Sequence, residues 1–509
     1  MKLNRVLLVC VLCAWNGFIG AGMAQTIIEV PPAIIPPAGF PYDVSSDTTL
    51  NIRQGADISR AIRGLNGATV NMFGGKTRGL LGENGSELNL LGGVINGPLS
   101  VSDGSTLIVH DVSLGGISAD FNLYVGSHTT LSGGRFAEPL FKQLTAELVI
   151  EGVDFAFDGA SIPGLQQPGD EVSLEVPEKT LFTGVFASGA PFTFFHDKSS
   201  EDNFYGNVTL RQVARPSGPS IVRVPFDPAP PGVLPGQTVI LEEGGELPLG
   251  TNAAPGSTLD IRGGQALEIE AFQATINMSG GLASMTAFTG AYVQISGGVN
   301  SRVRAREGST VQIAGGEVGS LNVDAQSRVR IQDGIVERLF IGRNAETTIL
   351  GGEVTELVDF SSNSVLKLLG GTILRPVSLA VSERIIIAGG KVGEGEFAEI
   401  SASNGSEITL VGKHFLLDGG TIDGLVSAGD SVILANRNGE ILEAIMKDDS
   451  QFKLLISNQP TSIRPSPPFN LISSGATLRL VLVPEALTIT QISIALMLLT
   501  TIRKPGWHR

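Results

Sequence analysis

From residue 48 to residue 411 the chain keeps returning to one short pattern: an apolar residue, a polar one, a second apolar residue, any residue, and then usually Gly-Gly. The later copies read Leu259-Asp260-Ile261, Ile276-Asn277-Met278, Val293-Gln294-Ile295, Val311-Gln312-Ile313, Val329-Arg330-Ile331, Thr347-Thr348-Ile349, Leu366-Lys367-Leu368, Ile385-Ile386-Ile387 and Ile408-Thr409-Leu410. Their starts lie 17, 17, 18, 18, 18, 19, 19 and 23 residues apart. Earlier copies stand at Leu50-Asn51-Ile52, Val70-Asn71-Met72, Leu88-Asn89-Leu90, Leu107-Ile108-Val109, Thr129-Thr130-Leu131 and Leu148-Val149-Ile150. Apolar and polar residues in alternation predict a strand, and Gly-Gly supplies the positive φ of a tight corner. A second short strand follows about five residues later, as in Leu321-Asn322-Val323 and Leu339-Phe340-Ile341.

Each period is then one coil. A unit this small cannot bury its apolar edge alone, so coils must stack with parallel strands about 4.8 Å apart. The expected fold is all-β: two tandem parallel β-solenoid (β-helix) blocks with about 18 residues per coil, each followed by a β-rich capping segment. The polar column Asp260, Asn277, Gln294, Gln312, Arg330, Thr348 and Lys367 should line one outer face, and the nine-coil block should be roughly 40 Å long. A calcium-binding β-roll shares the period but needs glycine and aspartate where this chain puts Val318 with Ser320, and Val354 with Glu356. A left-handed hexapeptide helix is disfavoured because the apolar residues do not recur every six.

An offset of 260 residues aligns Gly152, Phe155, Asp158, Gly159, Ile162, Gly164, Leu165, Gly169, Asp170, Val172 and Leu174 with identical residues from Gly412 to Leu434, eleven identities in 23 positions. The chain is therefore a tandem duplication. Its expected organisation is a signal peptide at 1–24, a proline-rich spacer at 25–47, solenoid block 1 at 48–151 and cap 1 at 152–224. A second proline-rich spacer follows at 225–237, then block 2 at 238–411, cap 2 at 412–483 and a sorting tail at 484–509. The spacers hold Pro31, Pro32, Pro36, Pro37 and Pro41, then Pro225, Pro228, Pro230, Pro231 and Pro235, and read as semi-rigid extended segments. The caps are expected to cover open solenoid ends that would otherwise template aggregation.

The two ends read as addresses. Lys2 and Arg5, the apolar run Val6 to Gly20, and Gly22-Met23-Ala24 before Gln25 fit a secretory signal peptide cut between Ala24 and Gln25 by signal peptidase. Pro484-Glu485 precedes an apolar helix expected at 486–502 and the basic residues Arg503, Lys504 and Arg509. This order resembles the PEP-CTERM sorting tail of bacterial exported proteins, with Ala486 in place of a second proline. The resemblance implies an exosortase-type sorting enzyme acting near Pro484 and Glu485, with Arg503 in the retained basic cluster. It also implies delivery to the envelope surface or extracellular matrix, anchored at least transiently by the tail helix. Both cysteines, Cys10 and Cys13, and both tryptophans, Trp15 and Trp507, lie in the segments expected to leave, so no disulfide is expected.

Composition narrows the function. Glycine is 65 of 509 residues and charged residues are 17%, against usual values of about 7% and about 25%, which suits turn-dense β structure. The net charge is -15; each end segment carries +2, so the remainder is -15 - 2 - 2 = -19 and nucleic acid is a poor partner. Asp158, Asp170, Asp418 and Asp430 sit in Asp-Gly and Gly-Asp pairs that favour turns. His196-Asp197 with Glu201 and Asp202 is the densest polar cluster and is expected to be a solvated loop. His110, His128 and His414 are solitary, without metal-site spacing, and no cofactor is expected. Arg302, Arg304, Arg306, Arg328 and Arg330 form a basic patch with no matched acids. The expected function is a non-catalytic exported structural or adhesive repeat protein. The alternative is a glycan-binding or polysaccharide-degrading β-helix of the pectate-lyase-like type, and extracellular polysaccharide is a candidate partner.

Overall fold

The computed structural model describes residues 26–30, 42–115, 120–136, 139–197, 202–306, 308–434, 439–456, 472–473 and 475–484. Ala24, Gln25, Glu485, Arg503, the leader 1–24 and the tail helix 486–502 lie outside the described residues, while Pro484 closes the last described stretch. The described residues form strands and turns without a helix, and no helix among them is long and apolar enough to cross a membrane.

Strands stack in parallel, coil upon coil. In the second half Val293, Val311, Val329, Thr347 and Leu366 are register partners in succession, with steps of 18, 18, 18 and 19 residues. Over the chain a turn averages about 19 residues. The flanking position gives the predicted outer column, with Asp260, Asn277, Gln294, Gln312, Arg330, Thr348 and Lys367 neighbours in that order. Ile261, Met278, Ile295, Ile313, Ile331, Ile349 and Leu368 are buried inside. The second strand of each coil stacks likewise, as Leu321 on Leu339.

The Gly-Gly corners answer to two constraints at once. Gly316, Gly334, Gly352, Gly371 and Gly390 all have φ between +73° and +95°, which L side chains avoid. They also stack on one another: a Cβ at Gly352 would lie 2.5 Å from the carbonyl oxygen of Gly334, and one at Gly390 2.5 Å from that of Gly371. The opposite corner relies on a small buried residue just before each strand, for example Ser257, Ser309, Ser327 and Ser406. Several of these hydroxyls close the turn on the carbonyl three residues back, Ser309 Oγ to Arg306 O at 2.6 Å and Ser406 Oγ to Ser403 O at 2.6 Å.

Both solenoids begin earlier than the Gly-Gly pattern suggests. Thr26–Val30 pairs in parallel with Thr48–Ile52, and Ile221–Val224 with Thr238–Leu241. The second proline-rich segment is therefore the turn of a coil and not a free spacer: Val233 is buried and bridges to Ala253. An apolar residue among prolines can still enter the interior, because only its own backbone must reach the neighbouring coil. Among the described residues the first parallel column then holds eight strands, starting at Thr26, Thr48, Thr69, Glu87, Thr106, His128, Glu147 and Asn207. The second holds twelve, from Ile221 to Thr477. Each half has its own apolar core.

The two caps repeat one topology. Glu147–Phe157 leaves the last full coil and pairs antiparallel with Thr180–Phe186, which forms a hairpin with Pro191–His196. Asn207–Gln212 then stacks in parallel on Glu147–Phe157, and Glu171–Glu175 closes the edge antiparallel to it. The second half does the same with Glu407–Leu417, Ile441–Met446, Gln451–Leu455, Thr477–Leu482 and Ser431–Leu434. The closing strand breaks the parallel series, so the end of the column no longer presents a parallel template.

Candidate functional site

The carboxylates most suggestive of chemistry are occupied by backbone. Asp158 Oδ1 accepts from Leu181 N at 2.9 Å, and Asp418 Oδ1 from Ile441 N at 2.8 Å. Both aspartates sit at positive φ, near +48°, before a glycine also at positive φ, the signature of a tight hairpin turn. Asp170 Oδ2 accepts from Gln166 N and Gln167 N at 2.8 and 2.7 Å, and Asp430 Oδ2 from Val426 N and Ser427 N at 2.9 and 2.6 Å. Those amides hold both carboxyls below the usual carboxylate range. Four acids predicted to be turn residues are turn residues.

The His196 cluster differs from expectation. His196 is buried, its Nδ1 lies 3.0 Å from Asp202 O, and it accepts from Phe204 N at 3.2 Å. Asp202 spans two elements, taking Leu140 N at 2.7 Å and Phe195 N at 2.8 Å. The pair is a clamp between the hairpin and the last coil, not a solvated loop; Glu201 lies outside the described residues. His110, His128 and His414 are exposed, and two have polar neighbours: His128 Nδ1 lies 2.7 Å from Glu147 Oε2 and His110 Nδ1 2.7 Å from Ser132 Oγ. No group of three or more potential metal ligands comes together among the described residues.

Acids that the sequence did not match to the basic patch lie beside it. Arg302 reaches Glu268 at 2.8 Å, and Arg304 and Arg306 share Asp324 at 3.1 and 3.6 Å. On the first solenoid the outer column is an amide ladder: Asn89 Nδ2 donates to Asn71 Oδ1 at 3.0 Å, Asn71 Nδ2 to Asn51 Oδ1 at 2.8 Å, and Asn51 Nδ2 to Glu29 Oε1 at 2.7 Å. Arg53 seals the end at 2.8 Å from Glu29 and lies over the Phe73 ring at 4.4 Å.

Among the described residues, separate parts of the chain build a recess at the junction of the halves, which the sequence reading missed. The outer face of the cap 1 hairpin lies on a corner of the second solenoid, where Leu181 and Phe195 pack with Phe272 and Phe288. Arg306 stacks on Phe195 and Phe288, at 5.0 and 5.3 Å from the ring centres. Clefts of about 320 and 460 Å³ are lined largely by residues 215–237, the first also by Val153 and Val185, and a third of about 350 Å³ is lined by cap 1 residues such as Thr183, Val185 and Phe192 with Phe272 and Gln273. In the third cleft Arg215 is paired with Asp154, Nη1 to Oδ2 at 2.5 Å. A signal was available: Phe272 and Phe288 hold a corner position that later coils give to Asp324, Gly342 and Ser361.

No protein-family model, curated protein or solved structure matches this chain.

Proposed function

We propose that this β-solenoid repeat protein is an exported, non-catalytic structural or adhesive component of the cell surface or extracellular matrix. The observation that carries the reading is the use of Asp158, Asp170, Asp418 and Asp430 to bind backbone amides in matching turns of both caps. A catalytic site needs groups held together and aimed at a substrate, and these acids are consumed by the fold. The regular coils offer long walls with polar ladders, suited to spacing and display. The leader and the Pro484-Glu485 tail supply the address, with signal peptidase and an exosortase-type enzyme as processing partners.

Fractionation of the native cells with intact-mass measurement tests this. The expected result is a cysteine-free, tryptophan-free chain at the surface or in the matrix. A chain that stays in the cytoplasm would overturn the reading. So would depolymerisation of an acidic glycan by the purified protein, if Asp158→Asn or Asp418→Asn abolished it.

A further inference from the structure

Among the described residues one contact joins a cap to a solenoid corner; cap 2 repeats its hairpin side, and the last coils of the first solenoid carry apolar side chains at the same position of the coil. In the completed contact, the cross-strand pair Leu181 and Phe195 meets the rings of Phe272 and Phe288. Those rings follow the second strand of their coils: Phe272 N donates to Ala253 O, and Phe288 N to Ala271 O. Cap 2 keeps the apolar cross-strand pair as Ile441 and Leu455, beside Ile445, which is 42% exposed.

The same corner position on the first solenoid is held by Tyr124, Gln143 and Tyr205, whose amides donate to Val101 O, Leu123 O and Lys142 O. Tyr124 and Tyr205 are exposed, and the next residues, Val125 and Leu144, are 56% and 71% exposed. Large exposed apolar groups gathered on adjacent coils mark an interaction surface. Here the molecule itself shows what covers such a corner.

We propose that cap 2 of one molecule docks on the Tyr124, Val125, Leu144 and Tyr205 corner of a second copy, repeating between chains the contact that cap 1 makes within the chain. Cap 2 cannot reach its own first solenoid, because the second column of twelve strands intervenes, roughly 50 Å at the spacing of parallel strands. The two surfaces are different, so the contact is heterologous and the product is an open head-to-tail row unless rotation closes it into a ring. Cap 2 carries an ion pair on this face, Lys453 with Glu443 at 3.2 Å, which makes the contact more polar, and so weaker, than the internal one. The inference concerns assembly alone and holds wherever the protein acts.

Sedimentation velocity on the full-length protein tests it with two variants, Ile445→Asp for the cap surface and Leu144→Asp for the corner. The side chains are exposed, and unchanged melting midpoints would confirm that both variants fold. The wild type should grow in weight-average mass with concentration, while each variant alone stays at the monomer mass of about 53 kDa. An equimolar mixture should reach two chains and stop, because each variant keeps one intact surface and the pair has no free partner left. Val125→Lys should behave as Leu144→Asp does. A wild type that is monomeric at every concentration overturns the proposal, as does a mixture that stays monomeric. A monomeric wild type that binds a soluble polysaccharide through Tyr124 and Tyr205 would assign the corner to a glycan instead.

Discussion

In cap 1 the hairpin of Thr180–Phe186 and Pro191–His196 is buried on both faces, whereas in cap 2 the equivalent Ile441–Met446 and Gln451–Leu455 hide one face and show the other. Position by position, Val185 at 2% exposure corresponds to Ile445 at 42%. Buried Thr183 and Thr193 correspond to Glu443 and Lys453, which pair at 3.2 Å. The inner faces diverge as well. Cap 1 packs Phe182, Phe186, Phe192, Phe194 and Phe204 with ring centres 4.5 to 6.4 Å apart, and cap 2 fills the same space with Leu442, Met446, Phe452 and Leu454. One topology thus serves as an internal joint when both faces are apolar and as a free end when one face carries charge. The fold fixes where the hairpin sits, and its outward side chains fix what it touches.

The strongest way to break this comparison is to charge both faces. Val185→Asp should cost about 3 to 5 kcal/mol, since it puts a carboxylate where the side chain is only 2% exposed, while Ile445→Asp should cost less than about 1 kcal/mol. Equal shifts in urea midpoint would mean that cap 1 is not covered. Next in size, Phe195→Ala removes a ring that packs with Phe288 and lies 5.0 Å from Arg306, and should cost about 2 to 3 kcal/mol. Leu455→Ala should cost about 1 kcal/mol or less, as calorimetry of the two variants would show.

A third difference lies under the caps. Lys142 points into the core of the last coil, 1% exposed, with Nζ donating to Tyr205 O at 2.6 Å; the second half has Ala402 there. Burial pushes the Lys142 ammonium below its ordinary pKa. The folded state therefore binds fewer protons than the unfolded state between the lowered and the ordinary value, and stability rises with pH across that window. Lys142→Met should remove that rise and stabilise the first half by about 1 to 2 kcal/mol at neutral pH, measured as melting midpoints from pH 6 to 11. The smallest effect should be one the caps share. Asp170→Asn and Asp430→Asn should lower stability slightly and equally at neutral pH. The wild-type advantage should be lost as pH falls through the depressed carboxyl pKa, because only the ionised form is held by the amides. A loss confined to one half, read by proteolysis across acid pH, would show that the two turns are not equivalent.

The coils were legible because their contacts repeat at a fixed step. Ile313 in and Gln312 out follow from alternation alone, and the Gly-Gly pairs mark corners where the preceding coil leaves no room for a Cβ. The first coil of each half was hidden because Thr26–Val30 and Ile221–Val224 are followed in the sequence by proline-rich stretches in place of Gly-Gly. The clamp of His196 and Asp202 was illegible for a different reason. Asp202 binds Leu140 N across 62 residues, a contact set by how the cap folds back and not by local spacing. Of the junction, the sequence offered only the placement of Phe272 and Phe288, a signal the sequence reading did not use, and nothing local tied them to Leu181 and Phe195. The turn roles of Asp158 and Asp170, by contrast, were readable from their glycine neighbours.

The stacked column through Gly316, Gly334, Gly352, Gly371 and Gly390 has a mechanical consequence. Backbone touches backbone at every level of the corner, so the wall has no side-chain cushion there to compress. Under tension along the solenoid axis the load falls on the short hydrogen bonds between adjacent coils, pulled in the direction in which they open. They should yield one coil at a time from an end, each coil of about 19 residues paying out roughly 60 Å of chain. A molecule pulled by its two ends should behave as an unwinding spool with a sawtooth force trace, the internal joint at cap 1 dividing the trace into two runs.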